Sequence, residues 1–227
     1  MKIFVPFIFI LLCTSINAQI PDAVYSPRIK SAQLYPLGNQ WGLPVIRLNS
    51  SEQLELHFDD LDGGVRNYSY TFQLCNADWT PAMLSQFDFI KGYSQIRLNT
   101  YRISSIAYTK YTHYQASLPD RNCVPSRSGN YILKVFRDGD TAKLIISKRM
   151  LVVDEKAVTV AQIQQPFNGQ IFRTHQKIQL KVNLNEQLNV VNHLQQIKVV
   201  ILQNNRWDNA ITDLRPSFFS RNQVEFN

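Results

Sequence analysis

The stretch Ser128-Gly129-Asn130-Tyr131-Ile132-Leu133-Lys134-Val135-Phe136-Arg137-Asp138-Gly139-Asp140 decides the fold. Tyr131, Leu133 and Val135 share one side of an extended chain, and turn sequences close both ends of it. Asp-Gly between two apolar runs is the clearest short-range hairpin signal, and the runs Leu144 to Ile146 and Leu151 to Val153 follow it. Tyr131 stands where an immunoglobulin-type sandwich places a corner tyrosine, whose hydroxyl bonds to upstream backbone. An ordinary core tyrosine fits the same pattern.

The same period of two runs outward from this hairpin. Leu54, Leu56 and Phe58 alternate with Glu55 and His57. Tyr68, Tyr70, Phe72 and Leu74 alternate with Ser69, Thr71 and Gln73, and Thr112, Tyr114, Ala116 and Leu118 line one side of a further run. With Ile29–Leu34 and Val45–Leu48 in front, about seven or eight half-buried strands lie between residues 27 and 154. The expectation is an all-β protein whose residues 19–154 form one immunoglobulin/fibronectin-like β-sandwich. After Val153-Asp154-Glu155-Lys156 the pattern restarts at Val158–Ile163, Ile178–Val182 and Ile197–Leu202, and Val224-Glu225-Phe226 is strand-like. Three to five strands are too few to close a second sandwich. Residues 155–227 are therefore expected to be an incomplete second β domain, needing chain beyond Asn227.

Two regions depart from the alternation. Residues 76–110 join two strong strands by a long connection containing Asp78-Trp79-Thr80-Pro81, Phe87-Asp88-Phe89-Ile90 and Lys91-Gly92-Tyr93. Its aromatics either cover one end of the sandwich or form an exposed docking surface. The other region is the leader. Met1-Lys2, the apolar run Ile3 to Leu12, and a polar stretch ending in Asn17-Ala18-Gln19 have the order of a secretory signal peptide over residues 1–18. The run is about half of the roughly 20 residues a spanning helix needs, and no later stretch is apolar enough to span. Cys13 would suit a lipoprotein only with a small residue ahead of it, and Leu12 stands there.

Chemistry is sparse. The chain carries 24 basic and 17 acidic residues, formal charge +7, and loss of Lys2 with the leader leaves +6. The basic residues are scattered rather than striped with aromatics, which argues against nucleic acid. Two cysteines remain after processing, Cys75 and Cys123, a possible disulfide in an oxidising compartment. Cys75 reads as strand and Cys123 as loop. Small buried hydrophobes are the other use of cysteine. His57, His113, His175 and His193 lie far apart, without metal-ligand spacing. Asp59-Asp60-Leu61-Asp62-Gly63-Gly64 resembles the start of a calcium loop, but the downstream glutamate is missing and a hairpin loop explains it. No nucleophile elbow or phosphate loop appears, so the expectation is no enzyme, no metal and no cofactor.

Specific strings add a resemblance. Tyr25-Ser26-Pro27-Arg28-Ile29-Lys30-Ser31, Pro44-Val45-Ile46-Arg47-Leu48-Asn49 and Leu54-Glu55-Leu56-His57-Phe58-Asp59-Asp60-Leu61-Asp62 follow one another. Then come Asn67-Tyr68-Ser69-Tyr70-Thr71, Cys75-Asn76-Ala77-Asp78-Trp79, Tyr111-Thr112-His113-Tyr114 and the stretch from Ser128 to Val135. In this order, from about Tyr25 to Val153, the chain resembles the plug proteins of the type IX secretion system. The resemblance implies a periplasmic protein at the inner face of the outer membrane. Its partner would be the giant outer-membrane translocon barrel, which it closes sterically when no substrate is carried. It implies no small-molecule substrate and names no interface residue. An exported immunoglobulin-like adhesion or glycan-binding module is the alternative, and a hydrolase with undeclared carboxylates a third reading. Cleavage after Ala18 sets the mature amino terminus at Gln19; intact-mass measurement of the exported protein checks this, and a mass retaining residues 1–18 refutes it.

Overall fold

The computed structural model describes residues 22–186, 188, 190–220 and 222–227; the leader, including Cys13, lies outside the described residues. The first part of the chain forms β1 (Ala23–Val24), β2 (Ile29–Pro36), β3 (Val45–Arg47), β4 (Leu54–Asp60), β5 (Tyr68–Cys75), β6 (Ile90–Gly92), β7 (Ile96–Arg97), β8 (Thr100–Ile103), β9 (Thr112–Leu118), β10 (Cys123–Pro125), β11 (Gly129–Arg137) and β12 (Leu144–Val153). One sheet runs β2-β4-β9-β8, the other β1-β12-β11-β5-β7 with β3 alongside β12. Every neighbour is antiparallel except β3, which lies parallel to β12. This is the A-B-E-D sheet facing G-F-C, the immunoglobulin order.

Alternation explains the core. Leu54, Leu56 and Phe58 of β4 are fully buried while Glu55, His57 and Asp59 point outward. They meet Phe72 of β5 and Tyr131, Leu133 and Val135 of β11 in one cluster. Phe58 stacks on Tyr114 at 5.1 Å between centroids, and Tyr68 meets both rings edge-on. Such aromatic pairs add about 0.5–1.5 kcal/mol each to the area they bury. The hairpin at Asp138-Gly139 forms as its sequence demands. Both residues have positive φ (58° and 71°), and the Asp140 amide donates to the Arg137 carbonyl at 3.1 Å, a type I′ turn. The runs from Leu144 and Leu151 prove to be one strand, β12.

Tyr131 is a corner tyrosine. Its hydroxyl donates to the Arg127 carbonyl four residues upstream at 2.9 Å, and burial pushes its pKa up to about 12.

The second part contains β13 (Ala157–Gln164), β14 (Lys177–Leu184), a single helical turn α1 (His193–Gln196), β15 (Ile201–Gln203), β16 (Arg206–Ile211), β17 (Phe218–Phe219) and β18 (Gln223–Phe226). The order β13-β14-β18-β17 makes one sheet, and β15 and β16 form a separate hairpin. Its core is small: Leu180, Val182, Leu184, Val224 and Phe226.

Replacing Tyr131 by Phe removes one buried hydrogen bond and leaves the Arg127 carbonyl unpaired. The expected cost is about 1 kcal/mol, read as a lower urea midpoint at unchanged slope. An unchanged midpoint contradicts the corner's structural role.

Candidate interaction site

The turn after β5 is tied by short-range polar chemistry. The Asn76 amide donates to the Thr80 carbonyl at 2.8 Å, and Trp79 N–H donates to the Asn76 carbonyl at 3.0 Å. The Thr80 hydroxyl and amide both donate to Asp78, holding its carboxyl below the usual range. Asn130 Nδ2 donates to the Asn76 carbonyl from β11 at 3.1 Å. This knot holds Trp79 at φ +66°, a left-handed conformation that costs a non-glycine residue about 1–3 kcal/mol. The result is an indole laid against the outer face of the sheet, over Cys75 and Ile132.

A second indole arrives from the other part of the chain. Trp207 of β16 meets Trp79 edge-on at 4.8 Å, and Leu151 completes the cluster. Against both rings lies the Arg149 guanidinium of β12, 4.6 Å from the Trp79 centroid and 5.1 Å from that of Trp207. Arg149 Nε is buried with no hydrogen-bond partner among the described residues. Burial lowers its pKa, yet an arginine stays cationic, so the two ring faces offset the lost hydration. Asn205 Nδ2 donates to the Trp41 carbonyl at 3.1 Å beside this cluster. The β15–β16 hairpin is thereby docked onto the first sandwich.

Residues 76–110 divide between the two uses the sequence allowed. They are more ordered than a long connection, carrying a 3-10 turn at Gln86–Asp88 besides β6, β7 and β8. The segment runs back along the edge of β5. The Ala82 amide donates to the Leu74 carbonyl, Gln95 Nε2 donates to Ser69 Oγ at 2.5 Å, and the Thr71 hydroxyl donates to the Ser94 carbonyl. Ser69 and Thr71 are consequently buried although their alternation pointed them outward. Trp79, Phe89, Ile90 and Leu98 are buried structural residues, whereas Met83, Phe87, Tyr93, Ile106 and Tyr108 are exposed. Those exposed side chains are the candidate contact surface.

The other singled-out residues serve the fold. Cys75 and Cys123 are free thiols in different clusters, Cys75 under the two tryptophans and Cys123 inside the sandwich core. Cys123 lies in the short strand β10, not in a loop. Burial raises their pKa to about 11 and about 12 respectively. In the acidic turn, Asp60 is 1% exposed; it accepts the Tyr68 hydroxyl at 2.7 Å and the Asp62 amide at 3.0 Å. Arg66 pairs with Asp60 at 3.3 Å and with Asp62 at 2.9 Å. These carboxylates are committed to protein donors.

Two histidines distant in sequence meet. The β4–β9 register sets Asp59 opposite His113, whose Nδ1 lies 2.7 Å from Asp59 Oδ1 and whose Nε2 lies 3.1 Å from His57 Nδ1. Tyr35 stacks on His57 at 5.4 Å. The His175 ring Nδ1 lies 2.8 Å from the Thr174 hydroxyl, and His193 opens α1. No group of three or more metal-ligating side chains converges among the described residues, and none of the described helices is long and apolar enough to cross a membrane.

Fold and surface together define an all-β, immunoglobulin-type module with a second β unit docked on its outer face. Residues 29–154 match the family model of the type 9 secretion system plug protein, 1st domain. The chain belongs to this family. A solved structure of a hypothetical protein from Parabacteroides merdae ATCC 43184 has a TM-score of 0.85 and 28% identity over 92% of this chain. The chain spans about half of that protein, 53% of its length. A Pseudomonas fluorescens alkylpurine DNA glycosylase, 11% identical over 56% of this chain and 30% of its own, has a TM-score of 0.32 and carries no argument. No curated protein matches.

The junction makes Cys75 its own reporter. At pH 8 both thiols, buried and with raised pKa values, resist iodoacetamide in the native protein. Trp207→Ala uncovers Cys75 and speeds its labelling about tenfold or more, while Cys123 stays protected. Equal labelling of the two cysteines in that variant contradicts the docking.

Proposed function

We propose that the protein is the plug subunit of a type IX secretion translocon, held at the periplasmic side of the outer membrane and closing the translocon barrel by occupying its opening. The observation that carries this reading is the family match, which coincides with the immunoglobulin-type sandwich. Physical features agree with it. A plug must not deform, and the sandwich is packed on both faces of its central strands β5 and β11. It must also come away, which suits a polar contact of standard size with isolated apolar anchors, roughly 1,200–2,000 Å² in all. Met83, Phe87, Ile106 and Tyr108 are highly exposed apolar side chains of the kind that can serve as such anchors. Closure of this kind is steric and takes no catalysis. The secretory-signal order of residues 1–18 supports a periplasmic location.

A tagged full-length gene product, purified from outer-membrane extracts, is expected to bring down a very large β-barrel protein. Deleting the gene is expected to admit a bulky antibiotic that the intact outer membrane excludes. Recovery of no such barrel, together with unchanged permeability, overturns the proposal.

A further inference from the structure

The second unit repeats the strand order of the first and lacks counterparts for its last two strands. In the first sandwich the β2-β4-β9-β8 sheet is built from an edge strand, the next strand of the same sheet, and then a later pair in reversed order. The sheet β13-β14-β18-β17 has the same order. Between β4 and β8 the chain crosses to the opposite sheet to make β5 and β7; between β14 and β17 it leaves to make the β15–β16 hairpin. The equivalences run β13 to β2, β14 to β4, β15 to β5, β16 to β7, β17 to β8 and β18 to β9. Strands β11 and β12 have no counterpart among the described residues of the second unit.

The burial pattern marks where those strands belong. Thr159, Ala161 and Ile163 of β13 lie in register with Val182, Leu180 and Ile178 of β14 and share their face. Leu180 and Val182 are buried, as are Val224 and Phe226 of β18, yet cover stops before β13, where Ile163 is 66% exposed. A trough of about 630 Å³ lies between this bare face and the segment 196–202 that leads into β15. In the first sandwich the equivalent floor, Ile29 and Leu56, is buried in one cluster with Tyr131, Leu133 and Ile146 of β11 and β12.

The edge is bare as well. Elsewhere the chain blunts its edges: β1 and β7 are two residues long, β2 has a register shift between Lys30 and Gln33, and β8 carries Arg102. Strand β13, Ala-Val-Thr-Val-Ala-Gln-Ile-Gln, has eight residues without a charge or a proline. Such an edge lacks the devices that protect a free strand elsewhere in the chain.

We propose that the trough is the seat of a β-hairpin from the polypeptide that follows Asn227, its strands pairing onto β15 as β11 and β12 build onto β5. Three observations select this occupant. The solved Parabacteroides relative carries nearly as much chain again outside the matched part. Phe226 of β18 and Ala161 of β13 both register on Leu180, so the chain emerges beside the trough, about 10 Å from β13 at two strand spacings. Ala157, Thr159 and Ala161 are small, which leaves room for large side chains from the covering strands. The inference stands independently of the plug reading.

The reading frame beyond Asn227 is the first test. Two alternating apolar runs joined by a short turn are expected within about 40 residues, the span such a strand pair takes in a sandwich. A frame that stops at Asn227 overturns the proposal. Hydrogen exchange then compares the mature chain ending at Asn227 with the full-length protein. Amides of β13, β14 and β15 are expected to exchange about tenfold or more slowly in the full-length protein, with β4 and β5 unchanged as an internal control. Equal exchange of β13 and β15 in the two proteins overturns it too.

Discussion

Ile132 is fully buried on the face of its sheet that no second sheet covers, and the rest of the molecule is arranged around that requirement. The inner face of β12-β11-β5 packs against the opposite sheet, as in any sandwich. The outer face places Ile132, Cys75 and Leu151 where water would ordinarily be. Exposing an isoleucine of this kind forfeits about 1.5–3 kcal/mol. Trp79 supplies part of the cover at the expense of a left-handed backbone, and Trp207 adds to it from the second part of the chain. Arg149 packs against both rings, gaining about 1–2 kcal/mol from each once desolvated. The domain junction is thus part of the hydrophobic accounting of the first sandwich, not a flexible afterthought.

The sandwich was legible because one face of most strands is wet. Alternation in β4 and β9, the Asp138-Gly139 turn and the position of Tyr131 each encode their structure locally. The junction was not read, although a signal existed: Tyr131-Ile132-Leu133 is a continuous apolar run, the mark of a strand buried on both faces. The contact of His57 with His113 depends on the β4–β9 register, a long-range quantity that spacing along the chain does not contain. The burial of Ser69 and Thr71 likewise comes from a segment that returns along the β5 edge through side-chain and backbone hydrogen bonds. Trp79 and Phe89 were recognisable as important aromatics, but whether they faced inward depended on that return path.

The second unit was the least legible part, and the reason is energetic. Its buried set is five residues, with partly buried neighbours around them, so half of its pattern has no burial to enforce it. Ile197–Leu202 reads as a strand, yet only Ile201–Gln203 pairs as one, because β15 has β16 on one side and no described strand on the other. Periodicity reports what a chain would bury if a partner surface were present. In β13 that surface is missing, and alternation there is unaccompanied by burial.

Edge management links the fold to a role among other β-rich proteins. A body that contacts other β proteins reversibly, as the proposed plug role requires, is best served by short or covered edges, since each long free edge is a template for adding a strand. The first sandwich answers this by covering the β5 edge with β7 and the chain before it, and by keeping its outer strands short, bulged or charged. Its exposed apolar side chains include Phe87 and Tyr108, which lie outside the long strands and can anchor a contact without extending a sheet. Contact through side chains can be reversed by small displacements. A shared ladder would have to break several backbone hydrogen bonds at once, and that difference in release is what separates a seal from an assembly joint.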